Sequence, residues 1–293
     1  MDFVSKMYGA PALHDQPIEK ALEQVDICLI AIPYGVRKPF IECCKKWHKP
    51  LVVEKPFAFS KHEHASYCDG FDEWEIGVNF QRRFYQSVAT LKKIMHTNIF
   101  GNLQGIKFSQ GNFMLKGGSG YLSDTALSGG GVIAESAIHN LDIILFITGA
   151  LDVSVGKIQS LHVSGLDYDT VFETEMMTAA GKIPVHCEIT TLRNLDNGLQ
   201  LQFENAVINC DLSPGGKIFI RKNEPGILQF SLLDEPGYEQ LSLEATKVNE
   251  AFLVFWQQFI SGLENKTANA TSAYHSLLTS AWIEGIYTKM NRT

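Results

Sequence analysis

The segment Asp26-Ile-Cys-Leu-Ile-Ala-Ile-Pro33 is a continuous apolar run that stops at a proline. Such a run marks a parallel strand buried on both faces, because parallel sheets are covered by helices above and below. Val36, Phe40, Ile41 and Cys44 then recur at helical spacing, and Leu51-Val52-Val53 is a second short apolar run. Strand, helix and strand in that order close into a right-handed parallel crossover. A helix-like stretch over residues 60–71 and an apolar strand over 76–80 repeat the alternation. The opening of the chain is therefore predicted to be a doubly wound α/β unit.

Beyond about residue 105 the pattern changes. Strand-like runs over 106–108, 154–163, 171–179, 183–192 and 199–209 lie between turn signals such as Asp196-Asn-Gly and Ser213-Pro-Gly-Gly, and strand character continues to about residue 243. Many of these runs alternate, which predicts a mostly antiparallel sheet. One strongly helical segment, 131–148, interrupts it, and two helices, 247–263 and 272–290, close the chain. In the first of these, Val248, Phe252, Phe255, Trp256, Phe259 and Ile260 form a broad apolar stripe, read as core packing. The 293 residues suffice for two domains. They are placed at 1–84 and 85–293, an α/β unit followed by an α+β domain with a large, open, mostly antiparallel sheet.

Composition excludes several classes. With 45% hydrophobic and 19% charged residues the chain is globular. A net charge of -7, with Lys45-Lys46 near Lys49 as its densest basic cluster, speaks against a nucleic-acid partner. Met1-Asp2-Phe3 opens no signal peptide. No apolar run reaches about 18 residues, so no membrane span is expected, and the expected location is cytoplasmic. The six cysteines (Cys28, Cys43, Cys44, Cys68, Cys187 and Cys210) form no CxxC and are expected to be reduced and mostly buried. The triplets at Asn265, Asn269 and Asn291 are read as chance glycosylation matches.

Two constellations carry chemistry. In Val52-Val53-Glu54-Lys55-Pro56-Phe57, the lysine ends a predicted parallel strand, and ligands bind at that edge of an open α/β sheet. Pro56 restricts Lys55 to extended backbone and so fixes the direction of its side chain. A lysine there can polarise a hydroxyl or stabilise a developing alkoxide, and the alternative is a solvated strand-end lysine. The second constellation is Gly129-Gly130-Gly131-Val-Ile-Ala-Glu135-Ser-Ala-Ile-His139-Asn-Leu-Asp142. Its glycines allow close backbone approach to a ligand or another element. Glu135, His139 and Asp142 follow at i, i+4 and i+7 on one helix face, so the histidine is flanked by carboxylates as a general acid or base should be. The alternatives are a satisfied core histidine and a metal shared by Glu135 and His139; no further ligands suggest themselves, and no metal is expected.

Taken in order, these motifs resemble the Gfo/Idh/MocA oxidoreductases, which include glucose–fructose oxidoreductase, inositol dehydrogenases and many nucleotide-sugar dehydrogenases. The resemblance runs from about Tyr8 to the C-terminus. Its landmarks are Ile32-Pro33, Glu54-Lys55-Pro56, Asn79-Phe-Gln-Arg-Arg-Phe84 and the glycine-rich lead into residues 135–142. It implies a Rossmann domain followed by the open-sheet domain. It also implies hydride transfer between NAD or NADP and a carbon of a sugar, nucleotide sugar or polyol. The family's catalytic lysine falls on Lys55 and its histidine on His139. Its aspartate falls on Glu135, one methylene longer. Cofactor contacts are implied at Ile32, Pro33, Arg37, Glu54, Lys55, Pro56 and Gln81, although Arg37 stands where the family often has histidine. Substrate contacts are implied at Lys55, Arg83, Tyr121, Glu135 and His139. A homo-dimer or homo-tetramer through the open sheet face is implied as well.

One part of the pattern is absent. A dinucleotide-binding unit needs G-x-G-x-x-G between its first strand and helix, and an acidic residue about 20 residues on. Here the strand ending at Ile32-Pro33 follows only a helix-like start, Gly9 and Pro11-Ala-Leu-His14. Gly118-Ser119-Gly120 cannot substitute, since Ser123 replaces the last glycine and no strand precedes it. Roughly one βαβ unit, about 30 residues, is missing from the pattern. The expectation is a fragment or a start placed too late. The alternatives are a degenerate homologue that binds a carbohydrate or partner without redox chemistry, and a partner chain that supplies the unit.

Overall fold

The computed structural model describes Met7, Gly9 and residues 17–114, 120–223 and 247–291. Tyr8, Pro11-Ala-Leu-His14, Gly118 and Ser119, the strand character read over 224–243, and the last two residues of the Asn291 triplet lie outside the described residues.

A short helix α1 (Ile18–Leu22) leads into β1 (Cys28–Ile30), α2 (Lys38–Lys46), β2 (Leu51–Val53), α3 (Lys61–Cys68) and β3 (Ile76–Val78). The three strands pair in parallel in the order β1-β2-β3, with Ile30 opposite Val53 and Leu51 opposite Ile76. Ser60 caps α3, its hydroxyl accepting from the Glu63 N–H at 3.0 Å. Ile41 and Cys44 of α2 pack with Leu51 and Val53 in one buried cluster. Val52, pointing the other way, packs on Phe255 and Phe259 of the C-terminal helix α6 (Val248–Asn265; α4 and α5 are given below).

Burial of β1 is incomplete, against the expectation of a strand covered on both faces. Leu29 is 53% exposed, and Val36 and Phe40 of the predicted helix stripe are 41% and 40% exposed. The reason lies in the topology: among the described residues β1 pairs on one side only, and nothing covers its flank. The stripe of α6 likewise splits, with Phe255 and Phe259 buried but Val248 and Ile260 exposed.

Helix α4 (Gln86–Thr97) leads into the larger sheet: β4 (Leu103–Gly111), β5 (Asp152–Val163), β6 (Leu166–Thr178), β7 (Gly181–Thr190), β8 (Gly198–Phe203), β9 (Ala206–Cys210) and β10 (Ile218–Lys222). Its order is β10-β9-β8-β4-β7-β6-β5, antiparallel except for the β4–β7 pair. The single run read over 199–209 is two strands, because Glu204 and Asn205 turn the chain between Phe203 and Ala206. Six cysteines carry no disulfide, and four of them are buried.

Between the two sheets runs the segment that begins at the three glycines. It is a π-helical turn, Ile133–Ala137, followed by α5 (Ile138–Thr148). Ile138 packs with the small sheet, and Leu141 and Ile144 with the large one. By length and composition alone the stretch Thr125–Thr148 could cross a membrane, against the expectation that no run would; 78% of its apolar window is buried inside the protein, as core. The last helix, α7 (Leu277–Met290), packs on β5 and α5 through Trp282 and Ile286.

Candidate active site at the edge of the parallel sheet

The carboxyl ends of the three parallel strands lead into Ile32-Pro33, Glu54-Lys55-Pro56 and Asn79-Phe80-Gln81. Lys55 reaches from this edge to the π-turn. Its Nζ donates to the Glu135 carbonyl at 2.5 Å and lies 3.2 Å from Glu135 Oε2. The lysine side chain is 13% exposed and the glutamate 42%, so the lysine is held inside and the carboxylate looks outward. The Lys55–Pro56 peptide bond is cis.

His139 sits one turn further on and is 6% exposed. Its Nδ1 has no hydrogen-bond partner among the described residues, and the ring meets Phe80 edge-on at 5.9 Å. Burial first, and then the charges of Arg82 and Lys55, hold its proton affinity well below the usual imidazole range. The ring is therefore neutral at physiological pH. Tyr121 is 43% exposed. Partial burial and the negative charges of Glu135 and Glu54 raise its phenol, with Arg37 opposing, so it stands within electrostatic reach of both carboxylates.

Asp142, three residues beyond His139 on α5, is engaged by Arg83. The two form a buried fork, Arg83 Nε to Asp142 Oδ2 at 2.7 Å and Nη2 to Oδ1 at 2.6 Å. The Ala270 carbonyl and the Thr279 hydroxyl complete the group. Arg37 is engaged by backbone carbonyls. It is 2% exposed and gives its guanidinium to the carbonyls of Ile32 (2.9 Å), Glu54 (2.5 Å) and Pro56. Burial lowers its pKa to about 10. It clips the ends of β1 and β2 together.

The glycines serve packing against other elements. A Cβ on Gly130 would stand 2.1 Å from the Tyr287 hydroxyl, and one on Gly131 the same distance from the Asp167 carbonyl oxygen. Asp167, 1% exposed at the start of β6, accepts from the Gly131 N–H (2.8 Å), the Ile133 N–H (2.9 Å) and the Tyr287 hydroxyl (2.7 Å). It neutralises the positive end of the helix that carries Glu135 and His139. Sequence reading missed this clamp, which joins residues 36 and 120 positions apart without any local pattern. A cleft opens on Glu135 and Ser136, walled by Met114, Leu122, Tyr168 and Thr191. Among the described residues no group of three or more His, Cys, Asp or Glu is placed to hold a metal ion.

A nicotinamide cofactor finds a partial fit. Asn79 Oδ1 and Gln81 Oε1 are buried at the strand-end edge with no hydrogen-bond partner among the described residues, while Asn79 Nδ2 donates to Glu54 Oε1 at 2.5 Å. Unfilled amide oxygens suit the N–H and O–H donors of a carboxamide and a ribose. No described residues form a glycine-rich turn for a pyrophosphate, and the helix start at Gly131 already holds the Asp167 carboxylate.

No protein-family model matches the chain. In sequence it is 27% identical over 153 residues to inositol 2-dehydrogenases from two strains of Corynebacterium glutamicum, a match over 50% of this chain and 43% of the relative. The chain thus spans less than half the length of these relatives. In structure it superposes on the WlbA dehydrogenase from Bordetella pertussis in complex with NADH and UDP-GlcNAcA, with a TM-score of 0.78 over 99% of this chain and 84% of that one at 16% identity. It also superposes on an aldose-aldose oxidoreductase from Caulobacter crescentus complexed with glycerol, with a TM-score of 0.75 over 99% and 86% at 15% identity. The chain therefore has the fold of these oxidoreductases, a Rossmann-like parallel sheet followed by a large mixed sheet. Its resemblance to the Gfo/Idh/MocA oxidoreductases is one of both motif and fold.

Proposed function

We propose that the chain acts as a nicotinamide-dependent oxidoreductase on a hydroxyl or carbonyl carbon of a sugar, nucleotide sugar or polyol. The observation that carries this reading is the meeting of Lys55 with Glu135, 80 residues apart in sequence, beside a buried neutral His139. Relatives support it: one is named for inositol, one is bound to NADH and UDP-GlcNAcA, one to glycerol. Each is a dehydrogenase or oxidoreductase, and none favours the non-catalytic alternative.

In this reading Glu54, Lys55, Pro56 and Gln81, with Ile32 and Pro33 beside them, hold the nicotinamide half of NAD or NADP. A nicotinamide bound there supplies the hydride acceptor or donor. The chain's own groups handle the proton and the charge. His139 takes the substrate hydroxyl proton on its neutral ring. Lys55 donates to the same oxygen and stabilises the negative charge it gains. The Glu135 carbonyl and carboxylate fix the lysine, and Phe80 keeps water from one side of the imidazole. Tyr121 stands at the substrate side of Glu135. The reading divides the chain into a cofactor unit over 1–84 and a substrate unit over 85–293. A homo-dimer or homo-tetramer through the large sheet goes with it, supported by exposed Leu161, Val163 and Phe219. A cytoplasmic setting is supported by six unpaired thiols.

Calorimetry with NADH and NADPH, followed by dinucleotide reduction with polyols, sugars, sugar acids and nucleotide sugars, tests the reading. Dinucleotide binding and turnover are expected. Lys55→Ala and His139→Asn should each lower kcat by about 10²–10⁴-fold, and the asparagine variant should lose the pH dependence of the base. Normal turnover in either variant sinks that residue's role, and no dinucleotide binding sinks the whole reading.

A further inference from the structure

Of the cations around the site, three are matched. Lys55 meets Glu135, Arg83 forks onto Asp142, and Arg37 gives itself to three carbonyls. Arg82 differs. Its side chain forms no hydrogen bond or ion pair among the described residues, although burial lowers the proton affinity of its guanidinium. Its charge is felt by His139, whose own affinity it lowers further.

Arg82 lines a second cleft, of about 240 Å3, with Gln110, Ser136, Asn140, Asn197 and Asp211. Ser136 borders both clefts, so the second opens beside the one that holds Glu135. The acid in this second cleft is already engaged: Asp211 accepts from the Ser213 N–H at 2.9 Å and its hydroxyl at 2.8 Å. Asn140 is 6% exposed, and its Oδ1 has no hydrogen-bond partner. Its Nδ2 donates to Gln110 Oε1 at 2.8 Å, and Gln110 Nε2 donates to Ser136 Oγ, so the amide is oriented. The cleft is therefore lined by a planar donor fork that has no partner among the described residues, with the oriented Asn140 amide in its wall. The complement of such a fork is an anion.

We propose that this cleft is an acid subsite, in which Arg82 takes the carboxylate of an aldonic or uronic acid. A carboxylate fits better than a phosphate, because a lone guanidinium with no second free cation or helix N-terminus matches a single negative charge. The subsite deepens the oxidoreductase reading by naming the substrate class, but its binding step stands apart from hydride transfer.

The test is calorimetric titration of the 293-residue chain with D-gluconate, D-glucuronate, D-glucitol and inorganic phosphate, repeated with Arg82→Gln and Arg82→Lys. At least one acid should bind about tenfold or more tighter than D-glucitol, the factor for a charge-assisted pair. The preference should vanish in Arg82→Gln and survive in part in Arg82→Lys. Raising salt from about 0.05 to about 0.5 M should weaken the acid and leave D-glucitol unchanged, a readout that needs no variant. Acid and polyol binding equally, no saturable binding of either acid, a preference that persists in a folded Arg82→Gln, or phosphate binding as tightly as the acids overturns the subsite. Acid binding without hydride transfer keeps the subsite and sinks the oxidoreductase reading. Turnover of neutral polyols with no preference for acids does the reverse.

Discussion

Replacing Asp167 by alanine perturbs the helix that carries the proposed chemistry without touching Lys55, Glu135 or His139. The carboxylate satisfies the N–H groups of Gly131 and Ile133 and the Tyr287 hydroxyl, all at 2.7–2.9 Å, in a place where Asp167 itself is 1% exposed. Loss of a helix cap alone costs about 1 kcal/mol. Each buried donor left unpaired adds about 1–3 kcal/mol, reduced where the helix end can relax. Asp167→Ala should therefore destabilise by about 3–5 kcal/mol. Tyr287→Phe removes one donor and leaves the cap intact, so about 1 kcal/mol is expected. The double variant should be less destabilised than the sum by at least about 1 kcal/mol, because either change removes the same Tyr287–Asp167 hydrogen bond. Guanidinium unfolding followed by tryptophan fluorescence suits the question, since buried Trp282 lies on the same helix as Tyr287. A loss below about 1 kcal/mol for Asp167→Ala, or strict additivity, would refute the clamp.

Two further outcomes are expected. Arg83→Met leaves Asp142 fully buried with only the Thr279 hydroxyl. It should cost about 3–5 kcal/mol in denaturant melts, and Arg83→Met with Asp142→Leu should recover most of it; no recovery would contradict the ion-pair account. His64, 1% exposed between the Ser280 hydroxyl and the Ala273 carbonyl, has its pKa pushed down by burial to about 4. Below about pH 6.5 the unfolded chain takes up a proton that the native chain refuses, so stability falls as pH falls, by about 1.4 kcal/mol per pH unit, until about pH 4. His139 shifts in the same direction and adds to the slope. Melts between pH 7 and 4.5 should show His64→Gln less acid-sensitive than the parent by nearly one proton, and equal slopes would count against the assignment.

The periodic elements were legible because their causes are local. The run before Pro33, the triplet Leu51-Val52-Val53 and the alternation in β5 to β7 each reveal which faces meet a core. Glu54-Lys55-Pro56 likewise placed its lysine at the ligand edge, because strand polarity alone sets that position. The break at Glu204-Asn205 was lost because alternation continues across it. The incomplete burial of Leu29 could not be read from residues that are as apolar as those of a covered strand.

Side-chain partnership belongs to the tertiary structure. Helical spacing put Glu135, His139 and Asp142 on one face, but Asp142 pairs with Arg83, and Glu135 turns outward to Lys55 from a π-turn that leaves no trace in composition. Arg37 and Arg83, read as cofactor and substrate contacts in sequence, are bonded to carbonyls and to a carboxylate, whereas Arg82, no different in type, has no partner among the described residues. Sequence determined which elements form and which residue types reach the edge of the sheet, since both follow from chain-local periodicity. Only the fold decided which charges are neutralised, because each partner arrives from an element tens of residues away.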